Sequence, residues 1–236
     1  MQEETKAKVE ADIKDWHYLE ELPDSCHGFN LNRDQHIIEN MYDLYSYTNP
    51  QLHKKVIIYY HEETHEYKVR VKIGLIEFCR IEFITAKLES FEQLLRAQFE
   101  GLLSDMENYN REAIGSIILK KGIVEWGGET ELPASCEGFT LFIKPQNPEK
   151  INNGSYVIIN YVDFSIESDF TIYYNIYRDE FFGEARIWDI PDVNYDFDSN
   201  SLAELSAKLQ TYMVPRLQEI RQRAEKEAAM REKDKT

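Results

Sequence analysis

The chain is short of cysteine, of basic charge and of long apolar runs. Three cysteines in 236 residues cannot all pair and are too few to staple a secreted fold, so a reducing, cytoplasmic setting is the expectation. No apolar stretch approaches the roughly 18 residues that a membrane span requires. Met1-Gln2-Glu3-Glu4-Thr5 also lacks the basic-then-apolar plan of a signal peptide. Lys and Arg number 27 against 43 Asp and Glu, a formal net charge of −16. Nucleic acids and anionic membranes are held by basic surface, so neither is an expected partner. There is no Gly-rich phosphate loop, GxSxG elbow or dinucleotide fingerprint.

What is present is a repeat. Trp16 precedes Glu21-Leu22-Pro23-Asp24-Ser25-Cys26-His27-Gly28-Phe29, and Trp126 precedes Glu131-Leu132-Pro133-Ala134-Ser135-Cys136-Glu137-Gly138-Phe139, with a constant offset of 110. This reads as a tandem duplication. The expected domains are residues 1–112 and 113–236, each near the usual domain size. A hydrophobic content of 42% and an aromatic content of 13% supply enough apolar surface for two cores.

Each copy predicts an antiparallel meander closed by a helix. Val56–Tyr60, Tyr67–Ile73 and Ile76–Ile84 are rich in β-branched and aromatic residues, and the second of them alternates with period two. Val157–Tyr161, Phe170–Ile176 and Phe181–Ile190 are their apparent counterparts, and alternation implies one solvated face. Ser90 is a candidate cap for a helix carrying Phe91, Leu95, Phe99, Leu102 and Met106. Ser201, with Glu204 as a capping box, opens a second helix that Pro215 should kink or interrupt, leaving 216–236 as a solvated helix or frayed tail. Alternation of Val9, Ala11 and Ile13 favours a strand near the start, and 116–126 reads as β around a Lys-Gly turn. Gln35–Tyr47 reads as a short helix, and 145–154 as a loop. The fold class is α+β, two sheet-and-helix units in a pseudo-twofold arrangement.

Chemical motifs are weak. His61-Glu62-Glu63-Thr64-His65 matches the zinc-protease HExxH spacing, which works only on a helix, and strands flank it on both sides. Cys26 and Cys136 share a position, but adjacent residues on extended chain face opposite ways, which places His27 badly as a base for Cys26. Both cysteines therefore read as structural, and no catalytic residue, metal ligand or cofactor is assigned.

The remaining signal is residues 161–200, where ten acidic residues face only Arg178 and Arg186, a local net of −8. Aromatics are interleaved, and 188–198 reads as an irregular acidic loop. The expected function is a non-enzymatic, acidic binding or inhibitory protein occluding a basic partner protein. The candidate binding residues are Asp179, Glu180, Trp188, Asp189, Asp192, Tyr195, Asp196 and Asp198. In composition, though not in motif, the chain resembles small acidic bacterial inhibitors such as toxin-immunity proteins and nucleic-acid mimics. The alternatives are a ligand binder or enzyme with its site between the units, and a phage or mobile-element assembly subunit.

Overall fold

The computed structural model of the chain describes residues 1–109, 114–129, 132–151, 154–188 and 190–233, with backbone alone at 127–129, 232 and 233. Glu131, Asn152, Asn153, Asp189 and the 112/113 boundary, all used in the sequence reading, lie outside the described residues. The fold is mixed α+β. It has two antiparallel seven-stranded sheets with helices, in two compact units, Met1–Tyr109 and Asn110–Thr236. Among the described residues no helix is long and apolar enough to cross a membrane.

In the first unit, α1 (Glu3–Lys14) and α2 (Tyr18–Glu21) lead into β1 (Ser25–Cys26), β2 (Phe29–Asn32) and β3 (His36–Ile38). β4 (Met41–Asn49), β5 (Lys54–His61), β6 (Glu66–Ile73) and β7 (Ile76–Thr85) follow, and then α3 (Leu88–Glu107). The sheet runs β1-β2-β4-β5-β6-β7, with β3 beside β4. α3 lies on one face, where Phe91 stacks on Tyr67 at 5.6 Å and Phe99 meets Tyr45 and Tyr47. α1 covers the same face: the Tyr67 hydroxyl donates to Asp12 at 2.9 Å, and Lys8 sits over Tyr60. Val9 and Ile13 are buried. Their four-residue spacing is helical, and this overrides the short alternation that predicted a strand.

The second unit repeats the plan. α4 (Ser116–Lys121) and α5 (Ile123–Glu129) precede β8 (Ser135–Cys136), β9 (Phe139–Ile143) and β10 (Glu149–Lys150). β11 (Ser155–Asp163), β12 (Ser168–Asn175), β13 (Glu180–Ile187), β14 (Ile190–Ser199) and α6 (Leu202–Lys233) complete it. The order is β8-β9-β11-β12-β13-β14, with β10 beside β11. Residues 116–126 are thus helical, not β. Gly122 in the left-handed region separates the two helices, its N–H on Ile118 and Leu119 carbonyls.

Registers match at an offset of 114. Tyr47 opposes Val56 as Tyr161 opposes Phe170, and Tyr67 opposes Thr85 as Phe181 opposes Ser199. Both sheets bulge between 43 and 45 or 157 and 159, and again between 67 and 69 or 181 and 183. Tyr47 donates to the Pro23 carbonyl at 2.7 Å, and Tyr161 to Pro133 at 2.8 Å. The sequence pairing of strands was therefore one strand out of step: β4, not β5, matches β11. The 35–47 segment that read as a helix is β3 and β4. Its Tyr42, Leu44, Tyr45 and Tyr47 are buried, a run that suits a strand covered on both faces.

Further differences follow from packing. α3 begins at Leu88 with Lys87, not Ser90, before it. α6 passes uninterrupted through Pro215 and buries Leu217, Ile220 and Ala224 beyond it, so the helix is packed as far as Ala224, while 225–231 is a largely exposed helical continuation, as the solvated-helix reading expected. The Ser201 cap is present, with Glu204 reaching back to Asn200 N–H. The faces opposite the helices are not solvated at their centres: Asp43, Ile57, Tyr59 and Arg70 are buried, as are Asn160, Asp169, Thr171 and Tyr173. Most of their polar groups are paired, Asp43 with Arg70 and the Asn160 amide nitrogen with Asp169 and Thr171, which is what makes burial tolerable, although Arg70 Nε and Asn160 Oδ1 have no partner.

Candidate functional site

The predicted acidic loop at 188–198 is mostly strand. The β13 strand ends at Ile187, Trp188 turns the chain with φ 51°, and β14 runs antiparallel back along β13. Among the described residues β14 is the terminal strand of its sheet. Irregular composition hid it: Pro191 and alternating aspartates lower strand propensity, yet both are the devices that edge strands carry. At its far end four residues, Tyr195–Asp198, bow out opposite Phe182. Phe197 turns inward against Phe170 at 4.8 Å. A side chain on Gly183 would lie 2.9 Å from the Phe197 ring, so glycine lets Phe197 pack there without a shift.

The structure divides the candidate binding residues into tethers and surface. Trp188 is a tether: its indole donates to the Ala224 carbonyl at 2.8 Å and Arg231 stacks on the ring. Asp192 accepts from Arg216 at 2.5 Å and Arg223 at 2.6 Å, holding α6 against β14. Asp179, in the β12–β13 turn, accepts from Lys121 and from the Tyr174 hydroxyl, while Glu180 pairs with Arg178 at 3.0 Å. Cations from outside 161–200 thus neutralise several of its carboxylates. Tyr195, 76% exposed, together with Asp196 and Asp198 remains outward. Burial and then neighbouring Glu180 push the Asp198 carboxyl up, and Lys208 donates to its backbone carbonyl, not to the carboxylate. Two surface residues were missed, Ile190 and Val193, 59% and 62% exposed on the same strand.

Asp192 yields a pH prediction. Burial raises its carboxyl, but Arg223 and Arg216 more than offset this and leave it below its ordinary value. A depressed folded pKa contributes stability above the unfolded value of about 3.9, lost as pH falls through the folded one. Equilibrium unfolding from pH 6 to 2 should therefore show a steeper acid loss for the wild type than for Asp192→Asn. Parallel profiles would show that the pair does not anchor α6.

A second feature lies in the first unit, at the repeated corner. Cys26 and Phe29 pair across a two-residue turn in which His27 and Gly28 both have positive φ, 46° and 72°; Glu137 and Gly138 repeat it at 50° and 82°. This is the type I′ hairpin geometry that glycine at the second position favours. The extended-chain rule that set His27 away from Cys26 does not hold in such a turn. Both side chains converge on Glu100 of α3: a sulfur, a ring nitrogen and a carboxylate oxygen lie within 4.8 Å of one another. His27 Nε2 is 3.5 Å from Glu100, and Nδ1 is 3.8 Å from Glu107. The His-Gly dipeptide was the available signal; the helix register that brings Glu100 there was not readable.

Beside this cluster is a cavity of about 360 Å³ between α3 and the corner, with Leu22, Tyr47, Leu95 and Phe99 as apolar walls and Cys26 and Glu100 at its polar side. Arg96, another lining residue, is engaged by Glu21 at 2.7 Å and Glu92 at 2.8 Å. Burial, then Glu100 and Glu107, push the Cys26 thiol up; burial and Glu137 do the same to Cys136. Neither is the lowered thiol that nucleophilic catalysis uses. His61 ends β5 and residues 62–65 form the turn to β6, with His65 at φ 54° and His61 Nδ1 3.1 Å from Thr64 Oγ1. The helical context that HExxH chemistry needs is not there.

No protein-family model, no curated protein and no solved structure matches the chain.

Proposed function

We propose that the chain is a tandem duplication of one sheet-and-helix unit, acting as a non-catalytic binding protein that engages a basic segment of a partner protein along the free edge of β14. The observation that carries this reading is the strand itself. An edge strand offers unpaired backbone groups to an added strand, and here it also presents Ile190, Val193 and Tyr195 outward beside Asp196 and Asp198. Apolar groups supply contact area, and the carboxylates favour lysine or arginine between them. Pro191 and the aspartates discourage indiscriminate pairing, so selectivity comes with the same residues. The first unit offers a comparison: Ile81, 66% exposed, is the only large apolar residue so exposed on the edge strand β7 among the described residues.

Anisotropy titration with a labelled ten-residue peptide alternating lysine and valine tests the recognition chemistry. Binding should weaken with salt, and Tyr195→Ala should cost at least about 1 kcal/mol. Neutralising Asp196 and Asp198 to asparagine should slow association, while Ile81→Ala should change nothing. Equal affinity for wild type, Tyr195→Ala and the neutralised variant would remove β14 as the binding surface.

A further inference from the structure

We propose that Cys26, His27 and Glu100 bind a divalent metal ion of the zinc class, a site in the first unit that is independent of the β14 reading. The donor set is a thiolate, an imidazole and a carboxylate, the mixture that borderline-soft zinc takes. With metal–ligand bonds of about 2.0–2.3 Å, tetrahedral donors stand roughly 3.2–3.7 Å apart. His27 Nε2 and Glu100 are already 3.5 Å apart, and no pair among the three exceeds 4.8 Å. The turn and the helix need only a small closure. Glu107, 3.8 Å from His27 Nδ1, stands where an outer carboxylate orients a ligating imidazole by accepting its second N–H. Three protein ligands leave the fourth position for water on the side of the cavity.

The second unit supplies an independent reason to expect a cation here. At the offset of 114, Arg221 replaces Glu107 and Val214 replaces Glu100. Arg221 lies over the Phe139 ring at 5.2 Å and donates from Nε to the Glu137 carbonyl at 2.5 Å and from Nη2 to Asp163 at 2.6 Å. A guanidinium therefore occupies that corner as a built-in cation. In the first unit the same corner holds Glu107, whose Oε1 would lie 2.9 Å from any side chain placed on Gly28, along with Glu100 and Cys26. Zinc with one thiolate and one carboxylate is formally neutral. A coordinating thiol gives up its proton on metal binding, so zinc uptake should release protons.

Titration of the chelator-stripped 236-residue chain with Zn²⁺ and Co²⁺ tests the site. The expected result is one ion per chain, and a cobalt complex with thiolate charge-transfer absorption and the intense visible bands of four-coordination. Cys26→Ser and Glu100→Gln should each abolish that spectrum. Glu107→Gln should weaken binding by about 10- to 100-fold, and Cys136→Ser should leave it unchanged. Glu100 is an exposed side chain, so its variant keeps the fold and reports on the site alone. The absence of stoichiometric binding, or a cobalt spectrum that survives Glu100→Gln or disappears with Cys136→Ser, would overturn the proposal.

Discussion

Asp43→Ala is expected to destabilise the protein by about 3 kcal/mol, because it takes the bidentate carboxylate from a buried guanidinium and leaves it only the more exposed Glu77. Asp43 and Arg70 are both buried, and Arg70 Nη2 donates to the two carboxylate oxygens at 2.8 Å each. Arg70 also lies 5.1 Å over the Tyr59 ring and reaches Glu77 at 3.0 Å. Its Nε has no hydrogen-bond partner in the structure, so the pair is incompletely satisfied even when intact. Removing both charges is a different matter, since replacing a buried pair by apolar groups of similar volume is often neutral. The second unit carries Val157 at the place of Asp43 and Glu184 at that of Arg70, so a β-branched residue fits the first position. Asp43→Val combined with Arg70→Met should therefore regain most of the loss. Urea midpoints for Asp43→Val, Arg70→Met and the double variant give the coupling directly; additive losses would contradict it.

The second large effect concerns the repeated motif. Phe29→Ala and Phe139→Ala should each cost about 3–5 kcal/mol, since both rings are 0% exposed. By contrast Cys26→Ser and Cys136→Ser, at half-buried positions, should cost much less. If the motif were a twice-written active site, the cysteines would matter to activity and the phenylalanines only through it. Chemical denaturation of the four variants separates these outcomes: a small loss at both phenylalanines would remove the corner from the frame.

The core and its chemistry were unequally legible. The ELPxSCxGF spacing, written twice, reads as a repeated core-and-turn motif because an identical spacing reflects a shared backbone; Leu22, Phe29 and Phe139 are buried accordingly, while Leu132 is only half-buried. The strands β5 and β6 were readable from β-branched residues and alternation. The strand β4 was not, because Tyr42 to Tyr47 is buried on both faces and therefore shows no alternation. Missing β4 shifted every strand match by one. The segments of α1 and of α4 and α5 read as strands because the few apolar positions considered in each fit either period. On the candidate surface, the exposed Tyr195, Asp196 and Asp198 were read from local composition, whereas the tethering of Trp188 and Asp192 depends on α6 continuing past Pro215. The cluster of Cys26, His27 and Glu100 joins residues 74 positions apart. Spacing within the motif alone could not show it.

The most direct test of the β14 surface is site-specific photocrosslinking in cells of the protein's source. A benzophenone side chain placed at position 195 reports on the edge, and one at position 177, where Tyr177 is 80% exposed in the β12–β13 turn, reports on exposure alone. One discrete protein adduct is expected from position 195, lost when Asp196 and Asp198 are neutralised, and none from position 177. Equal adducts from both positions, or an adduct from 177 alone, would contradict it.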